Sequence, residues 1–318
     1  MNKFLAAVVL AAVLSASGSV QRGFAACAGY FPENGANIPV RTGPSAAAEG
    51  GLNKAQFDAI LDRLEEVYSP IVAAQGGVLE IRRKWEDGSV NASASRDGDR
   101  WIVNMFGGMA RHPSITPDGF SLVACHELGH HLGGFPARGL SVEGQADYFA
   151  NMKCHRRLWL EKDNLRGGAG PGVDAFAAKR CAEVFESASP RALCTRSAMA
   201  GLVMAKVAQA LSGQAALARF DAPDPSRAAR TSAAHPAPQC RLDTHFQSAL
   251  CVKPAAESFV FGDPRPRACT REEGFTVGVR PLCWYKPPVP AAPRISAAGS
   301  AALDAARRLE AGLSGRGI

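Results

Sequence analysis

Hydrophobic positions change period several times along this chain, and each change predicts an element. From Asn53 to Val72 apolar side chains stand at Phe57, Ile60, Leu61, Leu64, Val67 and Tyr68, the spacing of a helix with one buried face. Three strand-like stretches follow, VLEIRRKW, SVNASASR and RWIVNMFG, separated by the turn-forming EDGS and DGD. They predict a three-stranded antiparallel meander. In TPDGFSLVACHELGHHLGG the helical period returns with both ends marked. Thr116 suits the N-cap, Pro117 the first helical position, Asp118 the first turn, and Gly133-Gly134 the stop. A second helix is expected from near Ser141 through EGQADYFANMKCHRRLW, and helical patterns cover roughly 174–187 and 191–211. Within the last of these, AMAGLVMAKVAQAL is short and carries a lysine, which predicts a core helix rather than a membrane span.

Beyond Ala222 the pattern loosens. Pro, Ala and Ser dominate to Pro238, and a cysteine-rich stretch over 240–285 reads as loops held by bridges. KPPVPAAPR is a stiff linker, followed by a short Ala-rich helix over Ser296 to Leu313. There is no internal repeat. These shifts divide the chain into a leader (1–26), an α+β domain (27–220), a cysteine-rich extension completing it (221–285), and a terminal linker with its helix (286–318).

Of the 318 residues 47% are hydrophobic, enough for a sizeable core. The N-terminus, MNKFLAAVVLAAVLSASGSVQRGFAAC, places one lysine before about a dozen apolar residues and then small ones, a secretory signal. Ser17, Ala25 and Ala26 are candidate cleavage points, and Phe24-Ala25-Ala26-Cys27 is similar to a lipoprotein acylation site. Lys3 and Arg22 contribute to a formal charge of +7 whose remainder is spread without a basic run, which argues against nucleic-acid binding. Nine cysteines in an exported chain predict disulfides. Cys125 adjoins His126 on a buried helix and is expected to be a free thiol. The other eight would make four bridges, and that even count favours a soluble periplasmic or secreted protein over one acylated at Cys27.

The chemistry lies in HELGH. Residues four apart on a helix share a face, so His126 and His130 can point at one zinc ion, one per chain. Glu127 beside them is the candidate general base for a metal-bound water. A catalytic zinc needs a third protein ligand and an open position. The extended pattern HExxHxxGxxH fails, because Pro136 stands where its third histidine belongs. Glu143 in EGQADYFA is the better candidate, with Asp147 one turn later reaching the outer nitrogen of a liganding histidine. Asp147 as the ligand is the minority alternative.

HELGH followed by ExxAD resembles the gluzincin metallopeptidases. HPAPQCRL, from His235, is similar to the HPxxxxR element of the HtpX-type and CAAX-prenyl-protease-type members. The resemblance covers residues 100–150 and 235–242, but only twelve residues separate His130 from Glu143 and no transmembrane helices accompany the motif. It implies a zincin-like core in which the meander packs on the active-site helix and on the glutamate-ligand helix. It also implies hydrolysis of peptide or protein substrates at zinc, with His235 a second donor to the carbonyl oxygen and Arg241 beside it. An edge strand pairing with substrate is implied too, which would be RWIVNMFGG, its Gly107-Gly108 allowing close approach. A catalytically inactive zinc-fold binding or chaperone module of the cell envelope is the alternative. His112, His131, His155 and His245 carry no predicted role, and His131 faces about 100° away from His130.

Overall fold

The computed structural model of the chain describes residues 25–26, 29–40, 50–136, 140–159, 172–213 and 216–288. The leader before Ala25, Cys27, most of the terminal linker and the Ala-rich C-terminal helix lie outside the described residues. Helix α1 (Lys54–Ala73) starts in a capping box, Asn53 accepting from the Gln56 N–H while the Gln56 side chain returns to the Asn53 N–H. It buries Phe57, Ile60, Leu61, Leu64, Tyr68 and Val72, the face its spacing predicts.

Strands β1 (Ala25–Ala26), β2 (Val78–Lys84), β3 (Ala92–Asp97) and β4 (Arg100–Phe106) form one sheet in the order β1-β3-β4-β2. The three expected strands form in place, but the antiparallel meander does not. β3 and β4 are an antiparallel hairpin turning at Gly98, whereas β2 pairs with β4 in parallel. The cause is the segment after β2. Instead of turning back, it is bonded by residues from far upstream, Ile38 N–H to the Gly88 carbonyl (2.7 Å) and Val90 N–H to the Ala36 carbonyl (3.1 Å). It then crosses the end of β4, and Gly107 and Gly108 make room for it. A Cβ on Gly107 would lie 1.8 Å from the Trp85 carbonyl oxygen, and one on Gly108 1.8 Å from that of Gly88. The glycine pair therefore admits the chain's own crossing loop, and β4 is an interior strand rather than an edge. Arg111, at the end of α2 (Gly107–Arg111), fastens the crossing by donating to the Ile38 and Trp85 carbonyls.

Helix α3 (Pro117–Leu132) has the predicted ends. Thr116 Oγ1 accepts from the Gly119 N–H, Gly133 caps the helix, and Gly134 turns away at φ +77°. Every residue from Gly119 to Leu132 is buried, so α3 is a central helix with no solvent face. His131 turns away from its neighbour as expected, its Nε2 3.0 Å from the Ile102 carbonyl and its ring stacked on Trp101, tying α3 to the sheet. The second helix runs as α4 (Glu143–Phe149), a wider π turn (Ala150–His155) and α5 (Arg156–Trp159). Gly129 lets α4 come close: a Cβ there would meet the Ala146 carbonyl oxygen at 2.8 Å.

Helices α6 (Ala175–Val184) and α7 (Ala188–Ser212) fall where the periodicity places them. The extension differs from its expected loops, because Pro238–Leu250 is a helix, α8. Pro238 sits in its first turn, and it buries Leu242, Phe246, Ala249 and Leu250. The rest of the extension returns Trp284 onto the first turn of α4, where a Cβ on Gly144 would meet its ring at 2.2 Å.

Four disulfides form, but not among the expected eight cysteines. Cys125, expected to be free, is bonded to Cys154, and the other pairs are Cys181–Cys194, Cys240–Cys283 and Cys251–Cys269. One residue along a helix is a rotation of about 100°, so Cys125 faces the π turn while His126 faces α4. Cys27 is thus the cysteine left outside the four bridges, and the even count no longer argues against acylation there. Peptide mapping of unreduced protein should recover these four links. Closing a loop of 29 residues, the Cys125–Cys154 bond is expected to contribute about 3–4 kcal/mol, so the Cys125→Ala/Cys154→Ala pair should melt well below wild type.

Burial holds the His155 imidazole neutral, its pKa pushed down to about 4, with Nδ1 2.9 Å from Ser197 Oγ. Unfolded histidine titrates near 6.5. Between those values the unfolded chain binds a proton that the folded chain refuses, so stability falls as pH drops below about 6.5. Tm should therefore decline from pH 7.5 to pH 5, and His155→Gln should shrink that decline. An equal decline in both proteins would contradict the assignment.

Candidate metal centre

His126 and His130 lie one turn apart on α3, and Glu143 reaches them from the first turn of α4. His126 Nε2 is 3.1 Å from His130 Nε2 and 3.3 Å from Glu143 Oε2, and His130 Nε2 is 3.7 Å from Glu143 Oε1. Three ligand atoms about 2.1 Å from a tetrahedral zinc lie about 3.4 Å from one another. The side chains as they stand can therefore hold a metal ion, and these three residues form the group whose donor atoms converge for one.

The outer ring nitrogens explain why the inner ones converge. His126 Nδ1 is 2.7 Å from Asp147 Oδ1, and His130 Nδ1 is 2.7 Å from the Ser141 carbonyl. Both acceptors call for a proton on Nδ1, which leaves each Nε2 lone pair facing the shared point. Two lone pairs 3.1 Å apart repel unless a cation lies between them. Without a metal a proton does that service. Burial alone would lower the His126 pKa, but Asp147 and then Glu143 raise it to about 9, while burial followed by the charge on His126 lowers His130 to about 4. Among the described residues Glu143 Oε2 has no well-directed hydrogen-bond donor although it is buried. Burial would raise this carboxyl, but His126 and then His130 hold it below the usual carboxylate range.

Asp147 acts on the histidine from behind, as its spacing suggests, and does not join the donor group. Arg241 from α8 grips it with two hydrogen bonds, Nε to Oδ2 at 2.9 Å and Nη2 to Oδ1 at 2.7 Å. Burial alone would raise Asp147, but Arg241, His245 and His126 keep it ionised, well below its ordinary pKa. The HPxxxxR-like stretch is thus brought to the site at both ends. His235 Nε2 lies 3.4 Å from Glu143 Oε2 and donates to the Gly29 carbonyl at 2.7 Å. Glu127 lies on the same turn of α3 as the histidines, fully buried.

Three contributors escaped the sequence reading. His245, one turn after Arg241 on α8, places Nε2 3.4 Å from Asp147 Oδ1 and Nδ1 2.8 Å from Asn151 Oδ1. Its four-residue spacing from Arg241 was a usable signal, obscured by reading this stretch as loops. Asn151 on the π turn gave none. Tyr30, whose ring meets His126 edge-on with centroids 4.7 Å apart, stands just after the leader with no local pattern around it. His112 and His155 lie elsewhere, in a turn with Ser114 and against Ser197. A second cluster, Asp224 with Cys240 and Cys283, is no thiolate site because the two cysteines are bonded to each other.

Comparison with protein-family models, with curated proteins and with solved structures finds no match for this chain.

Elemental analysis of protein prepared without chelators should find one zinc per chain, and His126→Ala or His130→Ala should abolish it. Asp147→Asn removes no donor atom but is expected to weaken binding about 10–100-fold, the usual cost of losing such an outer partner. Gly129→Ala should also weaken it, by pushing α4 and Glu143 away. Metal-free wild type would overturn the assignment.

Proposed function

We propose that this chain is an exported zinc metallopeptidase, in which His126, His130 and Glu143 hold the metal. One observation carries the reading: two Nε2 lone pairs and a carboxylate converge at ligand spacing, each imidazole locked by an acceptor on its far side. Bound there, zinc would polarise the scissile carbonyl and acidify a water. Glu127, next in sequence to His126 and on its turn of the helix, takes the proton of the attacking water and passes it to the leaving amine. His235 Nε2 donates to the carbonyl oxygen as charge develops there. Asp147, gripped by Arg241, keeps His126 in the tautomer that ligates. The leader and the four disulfides support export, and among the described residues no helix is long and apolar enough to cross a membrane.

One observation favours the second reading, a catalytically inactive zinc-fold module. His126 and Glu127 are 0% exposed, His130 1% and Glu143 5%, so the site is closed to a substrate in this conformation.

The two readings separate on Glu127→Gln. It should retain zinc yet lose hydrolysis of a quenched fluorescent peptide library, because an amide cannot take the water's proton. Glu143→Gln should instead weaken zinc. His235→Ala, with zinc intact, should lose about 10²-fold in turnover with little change in KM, as for other oxyanion donors. Zinc-loaded wild type that cleaves nothing under conditions that open the site would leave the inactive module.

A further inference from the structure

The chain's own N-terminal segment lies against the buried site. Ala25–Ala26, which a leader cleaved after Ala26 would take with it, pair antiparallel with Ser95 and Arg96 on the outer edge of β3. The contact resumes at Tyr30, whose N–H donates to the Ala92 carbonyl at 3.0 Å. Asn91 then clamps Phe31 from both sides, its Oδ1 accepting from the Phe31 N–H and its Nδ2 donating to the Phe31 carbonyl, each at 3.0 Å. At Gly29 (φ +107°) a Cβ would press on Asn91 and the Ala92 carbonyl, so the approach to β3 is close.

The segment engages His235, Arg241 and His126, three residues of the site. The Gly29 carbonyl accepts from His235 Nε2, the nitrogen 3.4 Å from Glu143 Oε2. The Tyr30 carbonyl accepts from Arg241 Nη1 at 2.5 Å. The Tyr30 ring, 1% exposed, lies edge-on to His126 and 4.1 Å beneath the Arg241 guanidinium, and its hydroxyl is 3.4 Å from His245 Nε2. An extended stretch bonded along a strand edge, with one carbonyl on a donor and one side chain in a pocket, is how proteins hold bound peptides.

We propose that Gly29–Phe31 occupies the peptide-binding site of the metal centre and keeps the chain latent, and that the vacated site takes an extended peptide with an aromatic residue where Tyr30 now lies. This rests on the metallopeptidase reading above, and it accounts for the buried site without making the zinc structural.

Two versions of the full chain test it. Tyr30→Ala removes the ring from His126. Because that change could also impair folding, the second carries a site-specific protease recognition sequence between the exposed residues Pro32 and Glu33 and is cut only after folding, with disulfides and Tm checked. The primary readout is the rate at which a chromogenic chelator strips zinc, which needs no catalysis. Either opening should speed stripping by about tenfold or more, since access scales with the fraction of open molecules. The added peptide Ala-Gly-Tyr-Phe-Pro should slow it again, and the same peptide with Asp for Tyr should not. Peptide hydrolysis should rise in parallel. Unchanged stripping in both versions would overturn the proposal, and equal protection by the Asp peptide would overturn its aromatic part. Faster stripping, reversed by the Tyr peptide but without hydrolysis, would uphold the occupancy and sink the peptidase reading instead.

Discussion

The carboxylate of Asp147 is where the site is held together. It is fully buried, and a charge removed from water is tolerated only when it is paired and hydrogen-bonded. Arg241 supplies the pairing, while the same carboxylate accepts from His126 and lies near His245. One ionised group thus joins α3, α4 and α8, three helices from distant parts of the sequence. If Asp147 were lost, Arg241 would be a buried cation without a partner, and His126 would lose the acceptor that sets its tautomer. The metal-binding geometry and the docking of the extension therefore rest on one interaction.

Around that group the fold supplies rigidity rather than extent. The sheet is small, so α3 is enclosed from all sides by α1, the sheet, α4 and α7. Close contacts at Gly129 and Gly144 bring α4 and Trp284 against the site, and the Cys125–Cys154 bond joins the metal helix to the chain that follows the ligand helix. A ligand set built this way is positioned before any metal arrives, which lowers the reorganisation needed to bind it. The cysteine-rich extension brings both His235 and Arg241 to the site.

A short N-terminal segment, bonded to the free edge of β3, lies against this buried site, its Tyr30 ring edge-on to His126 and its carbonyls on His235 and Arg241. Tyr30 and Phe31 are themselves part of the buried core, so the segment is held by packing as well as by its bonds to the strand edge.

Much of this was legible in the sequence where information is local. The ends of α3 follow from Thr116, Pro117 and Gly133-Gly134, and the facing of His126 and His130 follows from their four-residue spacing. Glu143 and Asp147 fall on one helical face by the same rule, and the outward turn of His131 follows from the rotation per residue. These features depend on side chains within a turn or two of each other, so they survive without knowledge of the rest. The pairing of β2 with β4, the partner of Cys125, the helix at Pro238–Leu250 and the docking of Tyr30 against His126 did not follow. Each was decided by competition among segments far apart in the chain: residues 36–38 for the loop after β2, the π turn for Cys125, α7 for the apolar face of α8, and the N-terminal segment for the free edge of β3. Local periodicity states which residues seek a partner, and only the assembled structure decides which distant segment provides it.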